Sequence, residues 1–204
     1  MYYITLTHYW GNQLLDRTNY FIKEHAGVFK MSDTYDIIDP ETRQNLGVAQ
    51  EKLSFLVHAL RLVIDKRMLP TKVEISEQVN GPALLTIKRG MTFLRSRIEI
   101  VDRSGQAIGY FKSKLFSLGG GFFVYDMRDQ LIAEVKGDWK GWNFKFLDAK
   151  GNEKGTVSKK WAGIGKELFT TADNYMISIA DDFKANAGLL LAAGLAIDIV
   201  FKER

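Results

Sequence analysis

Three acidic residues near the C-terminus and three groups of basic residues, two of them beside tryptophan, are where this 204-residue chain could do chemistry. The acidic set is Asp173, Asp181 and Asp182. Calcium takes roughly six to eight oxygens, and three carboxylates could supply part of that shell. Their spacing is not that of an EF-hand, and its closing Glu is missing. Equally, Asp181 or Asp182 could cap the start of the apolar stretch that follows. The basic set is Lys159, Lys160 and Lys166 around Trp161, then Arg89, Arg95 and Arg97, then Lys136, Lys140 and Lys145 flanking Trp139 and Trp142. A cation beside an indole suits a lipid headgroup region, where each Lys or Arg near an anionic surface contributes about 1 kcal/mol. The competing reading is charge on outward strand positions, which discourages edge pairing. Catalytic patterns are weaker still: His8, His25 and His58 stand in no motif, and no G-x-S-x-G, Walker loop or H-E-x-x-H occurs. Gly119-Gly120-Gly121 opens no helix and reads as a strand bend, not a phosphate cradle.

The elements that must hold these residues are mostly strands. Three segments share one pattern, a short apolar strand, an Asp, then Gly or Ala seven residues later: Asp102 to Gly109, Asp126 to Ala133, and Asp148 to Gly155. A fourth, Asp39 to Gly47, carries one extra residue. In Asp102-Arg103-Ser104-Gly105 and Asp148-Ala149-Lys150-Gly151 the Asp can bond the turn backbone and the Gly accepts the positive φ. The arms alternate, as in Ile98/Glu99/Ile100 and Phe144/Lys145/Phe146, the period of a half-buried strand. Asn80-Gly81 signals a further hairpin between Val73–Val79 and Ala83–Lys88. Repeated hairpins without βαβ alternation predict an antiparallel sheet that curls to cover its edges. Leu53, Leu56, Val57, Leu60, Val63 and Ile64 recur at helical spacing, which predicts an amphipathic helix over 52–67 lying on the sheet. Residues 10–30 read two ways: Asn12 to Glu24 is weakly helical, while Tyr20-Phe21-Ile22 could be strand.

From Ala185 to Phe201 the chain is apolar on every side, with an uninterrupted run only from Ala187 to Ile197. A bilayer span needs about 20 residues, and runs of about 10–14 are more often buried core helices. Extending the run takes in Asn186 or Asp198. The small residues Gly188, Ala192, Ala193, Gly194 and Ala196 make the helix thin enough to thread a closed sheet. The expectation is a helix buried in the protein, with no integral transmembrane span.

Composition is that of one ordinary globular domain, read as 1–204, with 46% apolar and 25% charged residues. Cysteine is absent, which excludes a disulfide framework, a zinc-thiolate site, thiol catalysis and S-palmitoylation. The net charge of +4 permits attraction to phosphate on lipid or nucleic acid. The opening residues show no signal peptide, so the expected place is the cytoplasm, peripheral on the inner membrane face.

The string Lys160-Trp161-Ala162-Gly163-Ile164-Gly165-Lys166-Glu167-Leu168-Phe169-Thr170-Thr171-Ala172-Asp173-Asn174-Tyr175, followed by the apolar helix, closely resembles the end of phospholipid scramblases. Lys114-Leu115-Phe116-Ser117-Leu118-Gly119-Gly120, running into Val124-Tyr125-Asp126, resembles the related LURP-one-related proteins. The likeness runs from about residue 30 to the end. It implies a Tubby-like C-terminal fold, a closed antiparallel barrel of about twelve strands around the central C-terminal helix. It also implies lipid-surface association, with calcium-dependent scrambling claimed for some members. The scramblases' acidic segment before the helix, proposed as a calcium site, matches Asp173 to Asp182. Their Pro-rich N-terminal region and cysteine cluster are missing, so contact with a membrane would rest on charge and shallow apolar insertion. The leading expectation is a non-catalytic, calcium-modulated module for anionic phospholipid, with Lys159, Lys160, Lys166, Trp161, Arg95 and Arg97 as lipid contacts. The alternatives are a cytosolic protein-interaction scaffold and, third, a nucleic-acid-binding module.

Overall fold

The structure, a computed structural model, describes residues 13–25, 33–52, 54–60, 63–64, 69–90, 97–113, 121–138, 141–159 and 174–201. Twelve antiparallel strands form one closed barrel: β1 Asn19–Glu24, β2 Thr34–Ile38, β3 Asn45–Glu51, β4 Thr71–Ser76, β5 Leu85–Arg89, β6 Arg97–Asp102, β7 Ala107–Ser113, β8 Gly121–Asp126, β9 Leu131–Asp138, β10 Asn143–Leu147, β11 Glu153–Ser158 and β12 Tyr175–Ile179. Each strand pairs with its sequence neighbours, and β1 closes on β12 with Tyr20 opposite Ile177 and Ile22 opposite Tyr175. Closure leaves no strand edge to attract a foreign strand. The alternation is kept: Ile98 and Ile100 are buried while Arg97 and Glu99 are exposed, and Phe144 and Phe146 are buried while Asn143 and Lys145 are exposed.

The four Asp units fold alike. Asp102 Oδ1 accepts the N–H groups of Ser104 and Gln106 at 2.9 Å. Asp126 Oδ1 accepts those of Arg128 and Gln130, and Asp148 Oδ1 those of Lys150 and Asn152. The left-handed turn residue is Gly105 or Gly151 in two units, and Asp129 and Arg43 in the others. In every unit the ladder slips just before the Asp, between Ile37/Ile38, Ile100/Val101, Val124/Tyr125 and Phe146/Leu147. The slip leaves one extra residue on the returning strand: Leu46, Ile108, Ile132 and Lys154. Three of these are apolar and pack on the core. The bulge also explains the small residue one place later. A Cβ at Gly109 would lie 2.6 Å from the Tyr125 carbonyl, and one at Gly47 2.5 Å from that of Ser76.

The barrel is filled by α2, Ala187–Phe201, about 22 Å long at 1.5 Å per residue. Leu190, Leu191, Ala192, Ala193, Leu195 and Ile197 are all fully buried against inward strand residues such as Ile87, Phe122 and Ile177. Fully burying a leucine or isoleucine contributes about 1.5–3 kcal/mol, so the helix and the strand interiors stabilise each other. A 3-10 helix, Asp181–Asn186, leads into it. Among the described residues no helix is long and apolar enough to cross a membrane.

Two expectations need correction in extent. The helix expected over 52–67 is observed as α1, Phe55–Leu60, with one further turn in which Leu60 O accepts the N–H groups of Val63 and Ile64. It does not bury its whole apolar stripe on the sheet: Val63 is 81% exposed. The segment read two ways resolves as strand, because Tyr20, Phe21 and Ile22 are needed to close β12 to β2.

Candidate functional site

Because successive strands alternate in direction, the barrel has two unlike ends. At one end lie the short turns 39–44, 103–106, 127–130 and 148–152 and the eight-residue connection 77–84, together with the 3-10 helix. At the other begin and end the connections 25–33, 52–70, 90–96, 114–120 and 159–174, each of seven residues or more, and the shorter 139–142, and here α2 ends. The connections differ in charge as well: those at the second end hold eleven Lys or Arg and four Asp or Glu, those at the first four and five. Connections 90–96, 114–120 and 139–142 contain Arg95, Lys114 and Lys140 and no acidic residue. They also contain Phe93, Leu94, Leu115, Phe116, Trp139 and Trp142. The short turns are polar, as in Arg103-Ser104-Gly105-Gln106, and nearly balanced in charge, with Asp39, Glu41, Asp129 and Asp148 against Arg43, Arg103, Arg128 and Lys150.

Arg97, one of the expected lipid contacts, opens β6 at the long-connection end and is exposed. Its guanidinium carbon sits 3.8 Å from the Tyr110 ring centroid, and Tyr110 stacks on Tyr125 at 5.1 Å. Tyr110 is held in turn by donating to Asp129 Oδ1 at 2.7 Å. Lys112, which the sequence did not single out, is exposed directly opposite Arg97. Lys136 stands opposite Lys145 in the same way. Like charges facing each other across a ladder disfavour the fold, and Arg97 is partly compensated by Glu99 at 3.7 Å. Lys145 is partly compensated by Glu153 at 2.7 Å.

Lys159 follows β11 at this end, its ammonium 4.7 Å from the Trp142 ring. Trp142 is not a surface indole, being 8% exposed and packed edge-on to Phe144 and Tyr175. Arg89 also departs from the surface reading: it is buried and donates to Thr71 Oγ1 at 2.8 Å. Lys160, Trp161, Lys166 and Arg95, like Lys140 and Trp139, lie outside the described residues. Below Trp142 the end of the barrel holds Tyr175 and Tyr35, with Asp198 of α2 buried nearby. Burial first, and then the charge of Asp198, pushes both tyrosine hydroxyls far up, so they stay neutral.

Of the acidic set, Asp181 and Asp182 are described and are exposed. Asp173 lies outside the described residues, but its chain neighbour Asn174 precedes β12, whereas Asp181 and Asp182 follow it. The seven residues from Asn174 to Ala180 span about 20 Å at strand rise. Asp182 is engaged by Lys154 Nζ at 2.5 Å, the ammonium that takes the fourth bulge position. Two exposed carboxylates at the short-turn end do not make a calcium shell, and among the described residues no cluster of three metal-ligating side chains occurs. Nor does either one cap by its side chain: both occupy the first turn of the 3-10 helix, behind Ala180. Lys154 was legible only as the counterpart of Ile108 and Ile132 in the repeat.

A family model described as Scramblase matches residues 14–204. The chain belongs to the scramblase family. That match covers every strand and α2, so the family's sequence pattern and this closed barrel are one unit. No curated protein and no solved structure matches the chain.

Outward strand positions of this scramblase-related barrel carry Lys72, Lys88, Glu99, Lys112, Lys136 and Glu153, all exposed. A membrane-crossing barrel has the reverse arrangement, apolar outside and polar within.

Proposed function

We propose that this domain binds anionic phospholipid surfaces with its long-connection end, docking peripherally by charge and shallow apolar contact. The observation that carries the reading is the excess of basic residues in the connections of that end, eleven Lys or Arg against four Asp or Glu, where those of the other end are nearly balanced at four against five. In this reading Arg97, Lys112 and Lys159 face the headgroups, joined by Arg95, Lys160, Trp161 and Lys166 from the neighbouring connections. Each cation near an anionic surface contributes about 1 kcal/mol, so several together outweigh the entropy of docking where one would not. The domain acts as a binding module on the inner, anionic face of a membrane.

Cosedimentation with vesicles of phosphatidylcholine and phosphatidylserine tests it. Binding is expected at low salt, with release as salt screens the attraction. Combined Lys159→Glu, Lys160→Glu and Lys166→Glu substitution should weaken binding by about a hundredfold or more. With Asp182 engaged by Lys154, binding is expected to be equal with calcium and with a chelator. Absence of vesicle binding at low salt, with or without calcium, would leave the protein-scaffold reading in its place.

A further inference from the structure

The β3–β4 connection leaves the barrel at Glu51 and returns at Thr71, both at the long-connection end. Its stem is fixed: Glu51 N–H donates to Asp33 O at 2.8 Å and Lys52 N–H to Lys72 O at 2.7 Å. Above that stem, α1 continues by one turn, since Leu60 O accepts from Val63 at 3.1 Å and Ile64 at 2.8 Å. Residues three apart on such a turn share a face. Leu60 and Val63 therefore stand together, 37% and 81% exposed. Val57 and Ile64 of the same apolar stripe are half-buried instead. The stripe is thus divided, one side turned toward the protein and the other toward solvent. In sequence Arg61 lies within the stripe, and Asp65, Lys66 and Arg67 follow it.

Exposed aliphatic residues next to cations are the composition of an element that lies in a headgroup layer, its apolar side at the acyl boundary. We infer that Leu60 and Val63 form a wedge that enters the anionic bilayer surface when the domain docks. The inference rests on the lipid-binding reading and adds to it the element that penetrates. Charge selects the occupant. A second copy of this end would bring basic connections against basic connections, whereas anionic lipid complements both the cations and the aliphatic pair.

The chain has no cysteine, so Val63→Cys creates a unique attachment point for an environment-sensitive fluorophore. Met127→Cys, in a short turn at the opposite end and 48% exposed, is the control. With phosphatidylserine-containing vesicles carrying doxyl-labelled lipid, the Val63 probe should shift to the blue and be quenched. The Met127 probe should do neither. Val63→Asp should lower vesicle partitioning by about tenfold or more, with the thermal midpoint unchanged because the side chain is already in water. If the protein sediments with vesicles but the Val63 probe stays in water, the wedge is wrong and the lipid reading survives. If nothing sediments, both fall. If Val63→Asp instead converts a dimer to a monomer without vesicles, the face belongs to a second copy and the wedge is overturned.

Discussion

At the scale of single residues, the barrel depends on carboxylates that finish its turns. Asp39 is the most buried of the four turn aspartates, its Oδ1 accepting from Glu41 at 2.9 Å and Thr42 at 3.1 Å, with Arg17 3.4 Å from Oδ2. Burial alone would raise this carboxyl, but the Thr42 and Glu41 N–H groups and the Arg17 charge outweigh it, and the net shift is downward from 3.8. A carboxyl depressed in the folded state contributes stability above the unfolded aspartate range, near pH 4, and loses it as pH falls through the folded value. Asp39→Asn should therefore flatten the acid limb of a urea-midpoint profile between neutral pH and about pH 3. Asp39→Ala should cost about 1–2 kcal/mol at neutral pH, since two backbone donors lose their acceptor. The Asp148 carboxyl is held low likewise, first by the Asn152 side chain and backbone. Such turns are legible in a sequence because every bond is made within four residues.

At the scale of elements, α2 and the strands around it are mutually shaped. Gly194 faces β12 and β11, and a Cβ there would strike Ile177 Cδ1 and stand 3.4 Å from Val157 Cγ2. Gly194→Val should destabilise by about 1–3 kcal/mol through overpacking, and Leu195→Ala by about 2–5 kcal/mol through a cavity. Urea unfolding followed by circular dichroism measures both. The entry to the helix depends on a different contact. Lys154 bonds Asp182 and lies 5.9 Å from the Phe183 ring, and its backbone O accepts the Ala180 N–H. Bonding to Asp182 also raises the Lys154 ammonium above its ordinary value. Lys154→Ala should speed hydrogen exchange across 181–186 while leaving the barrel strands protected. The small-residue composition of α2 was readable as thinness. The extent of α1 was not, because its apolar spacing continues to Ile64 whether or not there is sheet beneath it to cover Val63.

At the scale of the whole molecule, the property that matters is the difference between the two ends. If the long-connection end meets lipid, combined Arg97→Glu and Lys112→Glu should weaken binding to anionic vesicles by about thirtyfold or more, about 1 kcal/mol per cation removed. Reversal of Arg103 and Arg128, in the short turns, should leave it nearly unchanged. Vesicle titration of both double variants against salt checks the pair. A protein oriented by its overall charge of +4 alone would respond equally to either.

From the chain alone came the Asp-centred hairpins, the period-two strands and the buried C-terminal helix. Each rests on local or composition-level physics: a side chain reaching its own turn, an alternating pattern, an apolar run too short for a bilayer. The tertiary structure decided where those pieces meet. Trp142 and Arg89 lie beside surface residues in sequence, yet they are buried, Trp142 against Phe144 and Tyr175 and Arg89 against Leu69 and Thr71. Asn174 belongs to the end of the barrel opposite Asp181 and Asp182, because β12 runs between them. The basic connections share one end for the same reason. An antiparallel closed sheet sends every second connection to the same pole, and no local feature of any connection records which pole that is.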